Sequence, residues 1–214
     1  IFRCTSSMPD ICGRVCPQTE LCEGVCPYTK QGRPPVPIGR LEAYAADWVA
    51  REGMGNRTAA ARSSGRRIAV VGAGPAGITA AEALAGSGHA VTLVDAWPEA
   101  GGLLLYGIPR IKLSPEIVRR KTKHLSRLGI RCEFDPKRGD GLSVDGLVDH
   151  GFDAILLALG AGIGRPLDIA GSDLEGVYQA TPFLVQANTD PESLPPGLRS
   201  RPEVGRRVAV IGGG

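Results

Sequence analysis

Aromatic residues are scarce in this 214-residue chain, at 5%, and that scarcity removes the stacking platforms on which single-stranded nucleic acid is held. Long blocks of one charge sign are missing too. The 25 Lys and Arg mix with 22 Asp and Glu for a net charge of +3, apart from short pairs such as Arg66-Arg67 and Arg206-Arg207, so a nucleic-acid partner has no support. No stretch approaches the roughly 20 apolar residues of a membrane helix; the apolar run Ala154 to Leu159 is strand-sized. A soluble chain with no membrane partner is expected. There is no initiator Met and no signal-peptide pattern, and the last residues, Ile211-Gly212-Gly213-Gly214, fall inside what reads as a strand-to-helix turn. The chain is therefore expected to be a fragment of a longer cytoplasmic protein, cut at both ends.

Glycine and proline, by contrast, are plentiful at 30 and 17 residues, as in a globular chain rich in tight turns. Residues 1–30 carry five of the six cysteines, interspersed with Pro9 and Pro17 and followed by Pro27, and read as a ligand-bearing loop region. From Ile38 to Arg51, Leu41, Tyr44, Ala45, Trp48 and Val49 recur at helical spacing, which predicts an amphipathic helix packed beside the cysteine loops. Residues 53–65 are small and polar and read as a linker.

After Arg66 strands alternate with helices, the signature of a parallel sheet. Strands are expected at Ile68–Val71, Ala90–Val94, Ile130–Phe134 and Phe152–Leu159, the last fully buried, and another unit begins at Arg207–Ile211. Helices are expected at Pro75–Ala85, from Ser114-Pro115 to Leu128, and at Val144–Asp149. The fold class is thus α/β: a Rossmann-type domain with helices on both faces of a parallel sheet, preceded by a small helical domain. The expected divisions are 1–52, 53–65, 66–205 and 206–214.

Gly72-Ala73-Gly74-Pro75-Ala76-Gly77 is a G-x-G-x-x-G turn directly after a strand and at a helix start, with Asp95 closing the next strand. Gly72 allows the tight turn, Gly74 lets the backbone approach a pyrophosphate, and Gly77 lets helix and strand pack closely. The helix N-terminus offers amides and partial positive charge, and Asp95 is placed to accept from a ribose hydroxyl. The motif alone serves FAD or NAD. A second turn at Gly101-Gly102 with Leu103, a strand delivering Gly160 to the sheet edge, and a second nucleotide motif at Gly212 and Gly214 favour FAD here and a nicotinamide cofactor, NADPH or NADH, on the later unit.

Cys12-x3-Cys16-x5-Cys22-x3-Cys26 puts four thiols within 15 residues. Disulfides need an oxidising compartment, structural zinc accepts paired spacings of this kind, and iron–sulfur ligation suits closely spaced thiolates in Gly/Pro-rich loops. All three remain open on spacing alone. Cys4 and Cys132 read as bland: a small residue near the chain start and a buried strand cysteine.

The segments Pro9-Asp10-Ile11-Cys12-Gly13-Arg14-Val15-Cys16-Pro17-Gln18, Leu21-Cys22-Glu23-Gly24-Val25-Cys26, Ile38-Gly39-Arg40-Leu41-Glu42 and Tyr106-Gly107-Ile108-Pro109 resemble the small subunit of NADPH-dependent glutamate synthase and the amino-terminal half of dihydropyrimidine dehydrogenase. The resemblance implies a helical domain with 4Fe-4S clusters, an FAD domain, and an NADPH domain inserted within it. It implies hydride transfer from NADPH to FAD and single-electron exit through the clusters to a large-subunit type of partner. It also implies Cys16, Cys22 and Cys26 as cluster ligands, Glu42 at a position where the family uses a non-cysteine side chain, and Cys12 as a candidate that some members replace. The upstream cysteines that would complete two clusters are missing from this chain. No side chain is expected to act as a catalytic acid or base. A dithiol flavoprotein is disfavoured because Gly101-Gly102 is followed by Leu103-Leu104-Leu105-Tyr106, without thiols. The rival from another class is a non-catalytic module binding zinc and a nucleotide.

Overall fold

A computed structural model describes residues 6–52, 62–134, 143–194 and 196–212. Its centre is a four-stranded parallel sheet in the order β3-β2-β1-β4, built from β1 (Arg67–Val71), β2 (Ala90–Asp95), β3 (Arg131–Phe134) and β4 (Ala154–Leu157). Alternation along β1 divides the sheet's two faces. Val70 joins Leu93, Ile78 and Val118 in the main core, while Ala69 and Val71 meet Leu147 on the other side. Helices α4 (Pro75–Gly86) and α6 (Pro115–Arg127) supply the first layer, and α7 (Val144–Asp149) the second.

The helix ends follow their local chemistry. Ser114 Oγ accepts from the Glu116 amide at 3.3 Å, with Pro115 in the first turn, and Ser143 Oγ accepts from the Gly146 amide at 3.0 Å; each satisfies an otherwise orphaned donor. Past α6 the chain reverses through Gly129 at φ 77°, as a helix C-terminus commonly does.

Four expectations need correction. Residues 9–15 are not loop but helix α1 (Pro9–Val15), started by a first-turn proline, and Pro27–Lys30 forms the short α2. The predicted amphipathic helix exists as α3 (Ile38–Arg51), but its expected packing face looks outward: Leu41, Tyr44 and Trp48 are 50%, 66% and 42% exposed. The opposite, small-residue face packs instead. A Cβ on Gly13 of α1 would stand 2.7 Å from both Ala43 N and Gly39 O of α3, so the two backbones approach where hydrogen is the only side chain that fits. The last predicted strand of the sheet shrinks to Ala154–Leu157 and is largely exposed, because β4 is an edge strand. Residues 207–211 form no strand; Val208, Val210 and Ile211 are exposed and pair with nothing among the described residues.

Among the described residues, helices α5 (Leu103–Tyr106) and α8 (Ala180–Asn188) had no sequence forecast. The expected linker falls mostly on residues 53–61, outside the described set, as does Cys4; Cys132 lies half-buried on β3. The start of the cysteine segment packs onto the sheet's main core. Met8 and Ile11, 6% and 2% exposed, belong to the same core as Val70 and Leu93, and Ser7 Oγ lies 3.0 Å from Thr79 Oγ1 on α4.

Candidate functional site

A cleft of about 640 Å³ opens at the carboxyl ends of β1, β2 and β4, where ligands enter open α/β sheets. Eight of the residues singled out from sequence line it: Gly72, Gly74, Pro75 and Ala76 at the start of α4, Asp95 at the end of β2, Gly102 and Leu103 at the start of α5, and Gly160 after β4. Three more stand just behind. Ala73 is fully buried, the Gly101 amide donates to the Ala73 carbonyl at 2.8 Å, and Gly77 lies in the first turn of α4. Of the second glycine turn, Gly212 is far along the exposed tail and Gly214 lies outside the described residues.

The glycines have different reasons to be there. Gly72 has φ 106°, and a Cβ on it would collide with the Ala158 carbonyl; a Cβ on Gly77 would collide with the Gly72 carbonyl. A Cβ on Gly74 meets nothing nearer than Gly102 Cα, at 4.0 Å. Gly74 is therefore dispensable to the packing and leaves open a space that a side chain would occupy. That unfilled cradle lies at the N-terminus of a 12-residue helix whose partial positive charge favours phosphate. The donors and the apolar walls fit a dinucleotide.

Asp95 does more than close a strand. Its Oδ2 accepts from the Ala73 amide at 2.5 Å and its Oδ1 from the Trp97 amide at 2.9 Å. Each carboxylate oxygen keeps a further lone pair, so the group can brace the glycine turn and still face a ribose. Sequence reasoning missed Trp97 and Tyr106, which form one wall, and Thr181 and Val185 of α8, which form another. The only linear signal was the place of Trp97 two residues after Asp95.

The cysteines occupy α1, the turn after it, and the start of α2. The Cys16 thiol is pushed above its usual range, first by burial and then by the neighbouring Cys12, with Glu42 and Cys22 adding smaller repulsions. Glu42 on α3 is also raised, by burial and by Asp10. Cys12, Cys16, Cys22 and Glu42 thus share one electrostatic neighbourhood. Cys26 is set apart: it is 7% exposed, and the backbone amides of Val36 and then Tyr28 lower its pKa, stabilising a thiolate as amide–sulfur contacts do around clusters. Among the described residues no three His, Cys, Asp or Glu side chains converge on a single metal ion; the ligands of a polynuclear cluster stand farther apart than those of one ion. Closely spaced soft sulfur ligands, one of them with amide donors at its sulfur, fit such a cluster.

Residues 66–214 match the model of the pyridine nucleotide-disulphide oxidoreductase family. The chain belongs to that family. Its first 54 residues match a second model, dihydropyrimidine dehydrogenase domain II, 4Fe-4S cluster. Among curated relatives, the glutamate synthase [NADPH] small chain of Escherichia coli K12 is 36% identical over 213 residues, covering 98% of this chain and 44% of that protein. The putative glutamate synthase [NADPH] small chain of Cereibacter sphaeroides is 38% identical, covering 96% and 49%. The putative oxidoreductase AegA of Escherichia coli K12 is 37% identical, covering 98% and 32%. The chain thus spans a third to a half of the length of these relatives. The resemblance that the sequence motifs carry along nearly the whole chain, with the cysteine and Gly-Ile-Pro segments its most specific parts, is borne out, and the α/β fold preceded by an iron–sulfur type of helical region holds. Among the described residues no helix is long and apolar enough to cross a membrane.

Proposed function

We propose that this chain is the flavin-binding and cluster-bearing part of an NAD(P)H-dependent oxidoreductase of the glutamate synthase small-subunit type. The observation that carries this reading is the pairing of an open glycine cradle at Gly74, facing Gly102 beside Asp95, with a cysteine segment packed into the same core. FAD in the cleft would supply the exchange between hydride and single-electron chemistry.

This chain's own residues bind, orient and exclude water. The first amides of α4 and the Gly72–Gly74 backbone would receive the pyrophosphate and Asp95 the ribose, and Leu103 with the Gly101-Gly102 turn would offer a second backbone contact to the flavin half. Cys16, Cys22 and Cys26, with Glu42 and Cys12 as further candidates, would hold 4Fe-4S clusters, which would supply one-electron chemistry toward a partner subunit. The second glycine turn begins a nicotinamide nucleotide site; Gly212 takes φ 105°, within a degree of Gly72 at 106°, which supports that reading. No side chain is assigned a proton-transfer role.

The test is the composition and colour of the purified full-length protein. Extractable FAD together with iron and acid-labile sulfide is expected, and Cys22→Ser is expected to lower iron and sulfide while NAD(P)H still bleaches the flavin. A colourless protein containing zinc and no iron would instead establish the nucleotide- and zinc-binding module.

A further inference from the structure

Two consecutive arginines of α6 reach in different directions. Arg119 turns to the nucleotide unit, where its Nε and Nη2 donate to the two Glu99 carboxylate oxygens at 2.8 and 3.0 Å, just before the Gly101-Gly102 turn. Arg120 turns to the cysteine segment. Its Nη2 meets Oδ2 of Asp10 on α1 at 3.4 Å and Oδ1 of Asp47 on α3 at 3.6 Å. Ile11, next to Asp10, and Val118, one turn-step before Arg119, belong to one core, so packing rather than the ion pair sets where Arg120 stands.

Asp10 is the unusual member of this group. It is buried, and its Oδ1 has no hydrogen-bond partner among the described residues. It sits two residues before Cys12 on the helix that ends at Cys16. It also adds to the burial that raises the Glu42 carboxyl on α3, so it belongs to the neighbourhood that Cys12, Cys16, Cys22 and Glu42 share. Arg14 on α1 directs its guanidinium elsewhere, to the Asp10 carbonyl at 2.7 Å and to Asp47 Oδ2 at 2.6 Å. The cation that offsets the Asp10 carboxylate therefore comes from α6, and a guanidinium keeps its charge at every working pH.

We infer that Arg120 is a positioning residue for electron exit: acting through Asp10, its permanent positive charge raises the reduction potential of the cluster that Cys16 and Cys22 would hold. This rests on the reading that the cysteine segment binds 4Fe-4S. The potential of such a cluster depends on the charge around it, because reduction adds one negative charge and a nearby cation stabilises it. Asp10 alone opposes the added electron. Paired with Arg120 it presents little net charge to it. Arg119, engaged with Glu99, does not share the role.

The test is a potentiometric titration of anaerobically purified full-length protein, following the electron paramagnetic resonance signal that Cys22→Ser removes. Arg120→Gln is expected to lower the midpoint potential, shifting the one-electron equilibrium about three- to ten-fold against reduction, where ten-fold is about 59 mV. Partial exposure of the guanidinium keeps the effect to this size. Arg120→Lys keeps the charge without the fork and should stay within about two-fold of the wild type. Asp10→Asn should shift the equilibrium toward reduction, and combining it with Arg120→Gln should return it near the wild-type value. Arg119→Gln should leave the potential of this signal unchanged. An unchanged or raised potential in Arg120→Gln, with wild-type iron and sulfide, overturns the inference and leaves the cluster reading standing, and so does equal lowering by Arg119→Gln. A wild type without iron and sulfide, or a Cys22→Ser variant that keeps every signal, removes the reading of the segment and the inference with it. Should Arg120→Gln fail to fold, Asp10→Asn decides: a potential at or below the wild-type value overturns the inference.

Discussion

Arg120 Nη2 of α6 lies 3.4 Å from Oδ2 of Asp10 on α1, a carboxylate only 2% exposed whose other oxygen has no hydrogen-bond partner among the described residues. The same guanidinium lies 3.6 Å from Asp47 Oδ1 on α3, and Asp47 also binds Arg14 at 2.6 Å. Arg120 of α6 therefore bridges two carboxylates, on α1 and α3, and shares Asp47 with Arg14. Removing it leaves a buried charge uncompensated, a strongly destabilising change in a dry site, reduced here because Arg120 is itself 43% exposed. Arg120→Ala is expected to cost about 1–2 kcal/mol in denaturant unfolding. Asp10→Asn should make the second substitution nearly neutral, and additive losses in that double-mutant cycle would show that the two side chains are not coupled.

The two helix-start glycines should fail in different ways. Gly77 has no room for a Cβ because the Gly72 carbonyl occupies the space, so Gly77→Val should lower the melting temperature, with an overpacking cost of about 3 kcal/mol. Gly74 has room, but only by filling the cleft. Gly74→Val is expected to melt within a few degrees of the flavin-free wild type and to purify without yellow colour. Stoichiometric flavin in Gly74→Val would remove the main support for the site.

Between α4 and α6, Lys121 is paired with Glu82 in a nearly dry setting, with side-chain exposures of 1% and 13%, and His124 Nε2 lies 3.7 Å from the other Glu82 oxygen. Glu82→Ala would strip the carboxylate from a buried ammonium, at a cost of about 3 kcal/mol. Combining it with Lys121→Met, which removes the charge and keeps much of the volume, should recover a large part of that loss. Chemical denaturation of the two variants measures both effects; equal stability of the single and double variants would show that Lys121 is satisfied without Glu82.

The β1–α4–β2 unit was legible because its signals are steric and local: a glycine wherever backbone meets backbone, and an acid at a strand end. The packing of α3 was not. Hydropathy periodicity weights Leu41, Tyr44 and Trp48, yet the helix packs through Gly39, Ala43 and Ala46, whose value lies in being small enough for α1 to come close. Helix α1 was hidden for a related reason, since seven residues with a proline and a cysteine carry little periodicity. Helix α8 has no side-chain cap at Gln179, so the usual start signal is missing. The Trp97–Tyr106 wall depends on two turns meeting in space, which spacing in the chain does not encode.

Asp153 ties the edge strand to the sheet. Its Oδ2 accepts from the Arg67 amide at 2.8 Å and its Oδ1 from Arg66 Nη1 at 2.7 Å, while its own amide donates to the Arg67 carbonyl at 2.8 Å. The Arg67 amide first, and the Arg66 guanidinium second, hold the carboxyl below its usual range. The folded state therefore binds this proton less tightly than the unfolded chain, whose aspartates titrate near 3.9. The resulting stabilisation is fully present above the unfolded value and is lost as the pH falls through the folded one. Asp153→Asn is accordingly expected to melt below the wild type at pH 7, by a margin that holds down to about pH 5 and narrows as the pH drops below about 4. Added salt should shrink only the Arg66 share of the margin, since both side chains of that pair are partly exposed, whereas the backbone share persists. Melting curves of the two proteins at pH 7 and pH 3, each at low and high salt, separate these contributions. A margin that stayed the same at pH 3 would mean that the carboxylate's charge contributes nothing to holding β4 against β1.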